Sequence, residues 1–121
     1  MIQGLRTVIY PAPDLAHGKA WYSQALGHGP YFDEPFYVGF LVGGFELGLI
    51  PDGVPRSDGP LAYWGVADVA AEVQRLAGLG AVVHEPVKDV GGGIKVAAVK
   101  DPFGNLFGLI ENPHFNAKNV K

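Results

Sequence analysis

The order of apolar runs and chain breakers is used twice, and this repetition limits the folds open to the chain more than any single motif. The first half runs "LRTVIY" (5–10), Asp14, "LAHGKAWYSQAL", Gly27 and then the β-rich "PYFDEPFYVGFLVGGFELGLIPD" (30–52). The second half runs "LAYWGV" (61–66), Asp68, "VAAEVQRLAGL", Gly80, "AVVHEPV", "GGGIKVAAV" (91–99) and "LFGLIE". Each half therefore reads as strand, helix and up to three further strands. Local echoes keep the same order. "DEP" at 33–35 answers "HEP" at 84–86, and "FELGLIP" at 45–51 answers "FGLIENP" at 107–113. Self-similarity at this scale predicts two copies of one supersecondary unit, here βαβββ twice in an α+β chain.

Local chemistry sets the expected limits of the elements. Pro11 and Pro13 stop the first strand, because proline cannot donate to a ladder. Asp14 and Asp68 are placed as N-caps, whose carboxylates accept the free N–H groups of a first helical turn. Gly27 and Gly80 supply helix-ending residues. Leu15, Tyr22 and Leu26 share one face of helix 14–26, with Gly18 and Lys19 interrupting the stripe. Val69, Val73, Leu76 and Leu79 mark the apolar face of the second helix. Gly43-Gly44 between "FYVGFLV" and "FELGLI" predicts a two-residue hairpin. The segments are module one over about 4–52, a linker at 53–60, module two over about 61–113 and a polar, fraying tail at 114–121, all within one domain, 1–121.

Composition excludes several function classes. Apolar residues are 48% and charged residues 17%, as in an ordinary globular chain. The net charge of −3, with no basic run, argues against a nucleic-acid partner. No apolar run approaches the ~18 residues of a membrane span, and the first residues lack the pattern of a secretory leader. Cysteine is absent, which removes disulfides, thiol catalysis and thiolate metal sites and suits a cytoplasmic location.

"TVIYPAPDL…AWYSQALG", "GGFELGLI" and "VKDPFGNLFGLIENP" together resemble the vicinal oxygen chelate superfamily: glyoxalase I, the bleomycin and fosfomycin resistance proteins, and the extradiol dioxygenases. The resemblance covers nearly the whole chain, and the "DPFGN" hairpin before an apolar strand is its most specific part. It implies two βαβββ modules forming an incomplete mixed-sheet barrel, or cup, around a small-molecule ligand, and a homodimer. It also implies a metal held by His or Glu side chains on four strands. Carried over position by position, those places fall on Thr7, Glu46, Leu61 and Gly108, so one of four holds a ligand side chain. A divalent metal site wants several protein donors. The expectation is therefore no cofactor, with a divalent metal kept as the alternative.

Ligand-binding candidates follow from that placement and from strand alternation: Thr7, Ile9, Glu46, Leu61, Tyr63, Gly108 and Ile110. Glu46 is also the candidate catalytic residue. In an apolar cup its pKa is expected to rise, making it a general acid or base or an anchor for a hydroxyl or cation. The alternative is a Glu paired with Arg6 or a backbone N–H, or facing solvent on a one-sided sheet. Tyr63 is equally a cup residue or a core tyrosine, while Trp64 points the other way, under a helix. Trp21 and Tyr22 are expected in the core. His17, His28, His84 and His114 are expected at the surface or in structural hydrogen bonds. "GGGIK" (91–95) does not continue as a phosphate loop and is read as a flexible loop or lid. Two functions stay open. One is a binding protein that holds a small organic molecule without metal. The other is an enzyme, a metal-dependent or metal-free lyase, isomerase or dioxygenase using Glu46.

Overall fold

The computed structural model describes residues 1–120. They divide into two compact units, one made of 5–56 with 103–105, the other of 1–4, 57–102 and 106–120. Each is a βαβββ unit with one helix and one four-stranded sheet.

The first unit contains β1 (Thr7–Pro11), α1 (Leu15–Leu26), β2 (Phe32–Glu34), β3 (Tyr37–Val42) and β4 (Phe45–Ile50). The sheet order is β1-β4-β3-β2, with β1 parallel to β4 and the other pairs antiparallel. The parallel pair requires a crossover, and α1 is that crossover. The Asp14 carboxylate accepts from the His17 N–H at 3.1 Å, and Gly27 closes the helix in the left-handed conformation. The Gly43-Gly44 turn has positive φ at both residues, as a tight hairpin of this hand requires.

The core of this unit lies between α1 and one face of the sheet. Tyr22, Val38, Phe40, Leu47 and Leu49 are almost fully buried, and Trp21 joins them. Burial of each Leu contributes about 1.5–3 kcal/mol. Gly18 does not simply interrupt the helix stripe. It is buried, and a Cβ there would lie 2.8 Å from Ala12 Cβ, so glycine lets the helix approach the chain after β1. Phe103 and Asn105, from the "DPFGN" turn, belong to this unit. The His17 ring meets Phe103 edge-on at 4.9 Å, and Asn105 Nδ2 donates to the Pro11 carbonyl at 2.8 Å.

The second unit contains β5 (Tyr63–Gly65), α2 (Val69–Gly78), β6 (Val82–Gly91), β7 (Ile94–Lys100) and β8 (Leu106–Glu111), and Ala117–Asn119 form a single 3-10 turn in the tail. The sheet order is β5-β8-β7-β6, with β5 parallel to β8. Asp68 caps α2 by accepting from Ala71 N–H, and Glu111 Oε1 accepts from Val69 N–H at 3.0 Å. Trp64 stacks on Phe107 with ring centroids 6.2 Å apart. Val69 and Leu76 carry the buried face of α2.

Three expectations change here. The strands begin later than the apolar runs: β1 starts at Thr7 and β5 at Tyr63, just after the Arg6 and Ala62 carbonyls that accept from Glu46 and Gly108 N–H. "GGGIK" is a hairpin turn rather than an open loop: Gly91, Gly92 and Gly93 all have positive φ where β6 turns into β7. The tail carries an ordered turn, with the Asn116 side chain accepting from Lys118 N–H. No helix among the described residues is long and apolar enough to cross a membrane.

Candidate functional site

One face of the first unit's sheet packs on α1. The other carries the side chains that alternate with the core. In register, Thr7 pairs with Glu46 and Ile9 with Gly48 across β1 and β4. Leu41 pairs with Glu46 and Gly39 with Gly48 across β3 and β4. Opposed residues share a face, so Glu46 stands on the face away from the helix while its neighbour Leu47 is fully buried.

Three hydroxyls converge on the Glu46 carboxylate. Thr7 Oγ1 donates to Oε1 at 2.6 Å and Tyr37 Oη donates to the same oxygen at 2.5 Å. The Tyr31 hydroxyl donates to Oε2. Glu46 is thus tied to three neutral hydroxyl donors. The two tyrosines reach it because the sheet beneath them has no side chains. A Cβ on Gly48 would overlap Tyr37, at 2.7 Å from its Cζ. A Cβ on Gly39 would sit 2.8 Å from Glu46 Oε2 and 3.0 Å from the Tyr31 ring. Around the cluster, Ile9, Tyr31, Phe36 and Leu41 are exposed, and Phe32 makes ring contacts with Tyr31, Phe36 and Tyr37.

The electrostatics differ from the expected raised Glu46 pKa. Burial does push the carboxyl up, but the bonds from Thr7, Tyr31 and Tyr37 favour the anion and outweigh it, so the pKa lies below its ordinary value. The tyrosines move the opposite way. Donation to Glu46, followed by burial, raises Tyr31. Burial, followed by donation to Glu46, raises Tyr37. The cluster is therefore one carboxylate and two protonated phenols over a wide pH range.

The second unit repeats the backbone of this arrangement. Glu46 N–H donates to the Arg6 carbonyl at 2.9 Å, and Gly108 N–H donates to the Ala62 carbonyl at 3.1 Å. Thr7 pairs with Glu46 as Tyr63 pairs with Gly108. The place equivalent to Thr7 is thus Tyr63, and the assignment of Leu61 to it is corrected. The β1–β4 pairing runs five residues and the β5–β8 pairing three, so counting back from the helix caps overshoots by two. Leu61 precedes β5, while Tyr63, Gly108 and Ile110 share one face of this sheet. A Cβ on Gly108 would lie 2.5 Å from the Ala62 carbonyl oxygen and 2.9 Å from Tyr63 Cδ1.

Thr7, Ile9 and Glu46 come together on the first sheet, and Tyr63, Gly108 and Ile110 on the second. Neither Tyr31 nor Tyr37 was expected as a donor to Glu46. A glycine inside each of two adjacent strands, "YVGF" and "ELGL", was the signal that something lies close over the backbone. The histidines hold structural positions. Nε2 of His28 donates to the Leu41 carbonyl and Nε2 of His114 to the Gly92 carbonyl, while His84 is exposed on β6.

Residues 4–109 match the Glyoxalase/Bleomycin resistance protein/Dioxygenase superfamily. The chain belongs to that superfamily. Among solved structures of the glyoxalase fold, the fosfomycin resistance protein FosX from Listeria monocytogenes superimposes with a TM-score of 0.78 at 18% identity, covering 94% of this chain and 97% of FosX. A glyoxalase-related enzyme from Fulvimarina pelagi gives 0.74 at 21% identity, covering 93% of this chain and 90% of its own. A glyoxalase/bleomycin resistance protein from Albidiferax ferrireducens T118 gives 0.70 at 16%, covering 90% and 98%. No curated protein matches the sequence.

The residues present do not fit the metal centre that the glyoxalase superfamily implies. Gly108 has no donor, and the Ala62 carbonyl and Tyr63 ring fill the space a donor side chain would need. Tyr63 and Thr7 offer neutral hydroxyls. Glu46 is then the one charged donor among the four places, with Oε1 already accepting from Thr7 and Tyr37 and Oε2 from Tyr31. Among the described residues, no three of His, Asp and Glu gather as a ligand set.

Proposed function

We propose that this glyoxalase-superfamily protein binds a small organic molecule on the outer face of the first unit's sheet, anchored at Glu46, without a metal. The observation that carries this reading is the carboxylate fixed by Thr7, Tyr31 and Tyr37 beside exposed apolar and aromatic side chains. Apolar walls with a few oriented polar groups are what small-molecule sites commonly offer. The same bonds favour binding over proton transfer. A carboxylate stabilised by three donors is a weak base, and at neutral pH it has no proton to give.

Chelator-treated protein titrated with a panel of small aromatic and aliphatic compounds, with the Tyr31 and Tyr37 ring resonances observed by NMR, tests this reading. The expected result is saturable perturbation of those rings that persists in chelator. Binding that appears only after metal loading, or no saturable perturbation by any compound, overturns it.

A further inference from the structure

The hydrogen-bond inventory of the Glu46 cluster narrows the class of ligand. A hydroxyl has one proton and two lone pairs, and an ionised carboxylate has acceptors only. Thr7, Tyr31 and Tyr37 each spend their proton on Glu46. What they leave outward is lone pairs. Oε1 accepts two donors and Oε2 one, so the carboxylate retains acceptor capacity on Oε2, the oxygen beside Tyr31. The cluster therefore offers acceptors and no spare side-chain donor.

Charge points the same way. The positions that register places on this face are Thr7, Ile9 and Pro11 on β1, Phe32 and Glu34 on β2, Tyr37, Gly39 and Leu41 on β3, and Glu46, Gly48 and Ile50 on β4. None is Lys or Arg. Glu34, at the end of β2, lies opposite Tyr37 in register. Lys19, in the same unit, is paired with Asp33 at 2.9 Å. The rings of Tyr31, Phe32, Phe36 and Tyr37 stand beside the carboxylate, and aromatic faces attract a cation by their quadrupole.

We propose that the Glu46 cluster recognises a protonated primary amine carried on a flat, apolar body. The ammonium brings the donors and the positive charge that the site lacks, and the body lies against the exposed rings. This rests on the binding reading above and specifies its ligand.

Three probes of nearly the same shape test it on the full chain: benzylamine, benzyl alcohol and benzoate. Each is titrated at neutral pH while the Tyr31 and Tyr37 ring resonances are followed, with the Trp64 indole as a reference in the other unit. Benzylamine is expected to bind about tenfold or more tighter than the other two, as one charge-assisted bond allows. Glu46→Gln is expected to remove that preference, and Tyr31→Phe, which leaves the carboxylate, to keep it. Equal or tighter binding of the alcohol or benzoate at these rings overturns the amine assignment and leaves the binding reading standing. If none of the three perturbs the rings, the amine assignment falls. If the wider panel also fails, the binding reading falls with it. Should Glu46→Gln not fold, the three-probe comparison on the wild-type protein decides alone.

Discussion

The Tyr37 ring occupies the space that a side chain at Gly48 would need, and this contact is why the Tyr37 hydroxyl reaches Glu46. Gly48→Ala should therefore push the ring away and break the bond. The expected cost is about 1–3 kcal/mol, in the range of overpacked positions, read as a lower denaturant midpoint. In a Tyr37→Ser background the same glycine change should cost much less. Equal costs in both backgrounds would show that the ring and the glycine are not coupled.

The pH dependence of stability follows from the same cluster. Glu46 has a folded pKa below its ordinary 4.5, so its contribution is present above 4.5 and is lost as pH falls through the folded value. Tyr31 and Tyr37 have folded pKa values above 10.0, so their contribution is present below 10.0 and is lost as pH rises through the folded values. Stability should be flattest between these limits. Glu46→Gln should flatten the acid limb and bring phenol ionisation to lower pH in an ultraviolet absorbance titration. An unchanged phenol titration in that variant would contradict the assigned bonds.

Restoring an acid at position 108 should not restore a metal site. In Gly108→Glu the new Cβ meets the Ala62 carbonyl, which already accepts the Gly108 N–H. Backbone cannot retreat there without opening the β5–β8 pair. The expected result is a loss of about 1–3 kcal/mol and no gain in bound zinc, nickel or manganese by elemental analysis after desalting. Stoichiometric metal in this variant would refute the steric argument.

Asn105 offers a separate check on how the "DPFGN" turn is held. Its side-chain amide is buried and donates to the Pro11 carbonyl. Asn105→Ala should destabilise by about 1 kcal/mol, because a part-buried acceptor loses its donor. Thermal unfolding would show the loss. A neutral result would mean that water replaces the amide.

The parts of this protein that were legible in the sequence are those set by local chemistry. Asp14 and Asp68 start helices, Gly43-Gly44 turns a hairpin, and the order of elements follows from these signals. Thr7 and Glu46 were named together because the superfamily resemblance places both on ligand-facing strands. The bonds from Tyr31 and Tyr37 to Glu46 were not legible, since they depend on glycines across the sheet. The direction of the Glu46 shift was misjudged because burial was weighed without the hydroxyls. Leu61 was misplaced because the two parallel pairings differ in length. Gly91–Gly93 carried no period of their own, and the structure shows them turning β6 into β7 with three positive φ angles in succession.

The glycine pair at 39 and 48 has one more consequence. Where two strands meet at glycines they lack the cross-strand side-chain contacts that normally hold a sheet face. Tyr31 and Tyr37 stand in for the missing side chains, while their hydroxyls organise Glu46. If this surface binds as proposed, scaffold and recognition are made of the same atoms. A change that retunes what the surface accepts would then also alter how well the sheet holds together, so selection for a new ligand would work against the stability of the unit that presents it.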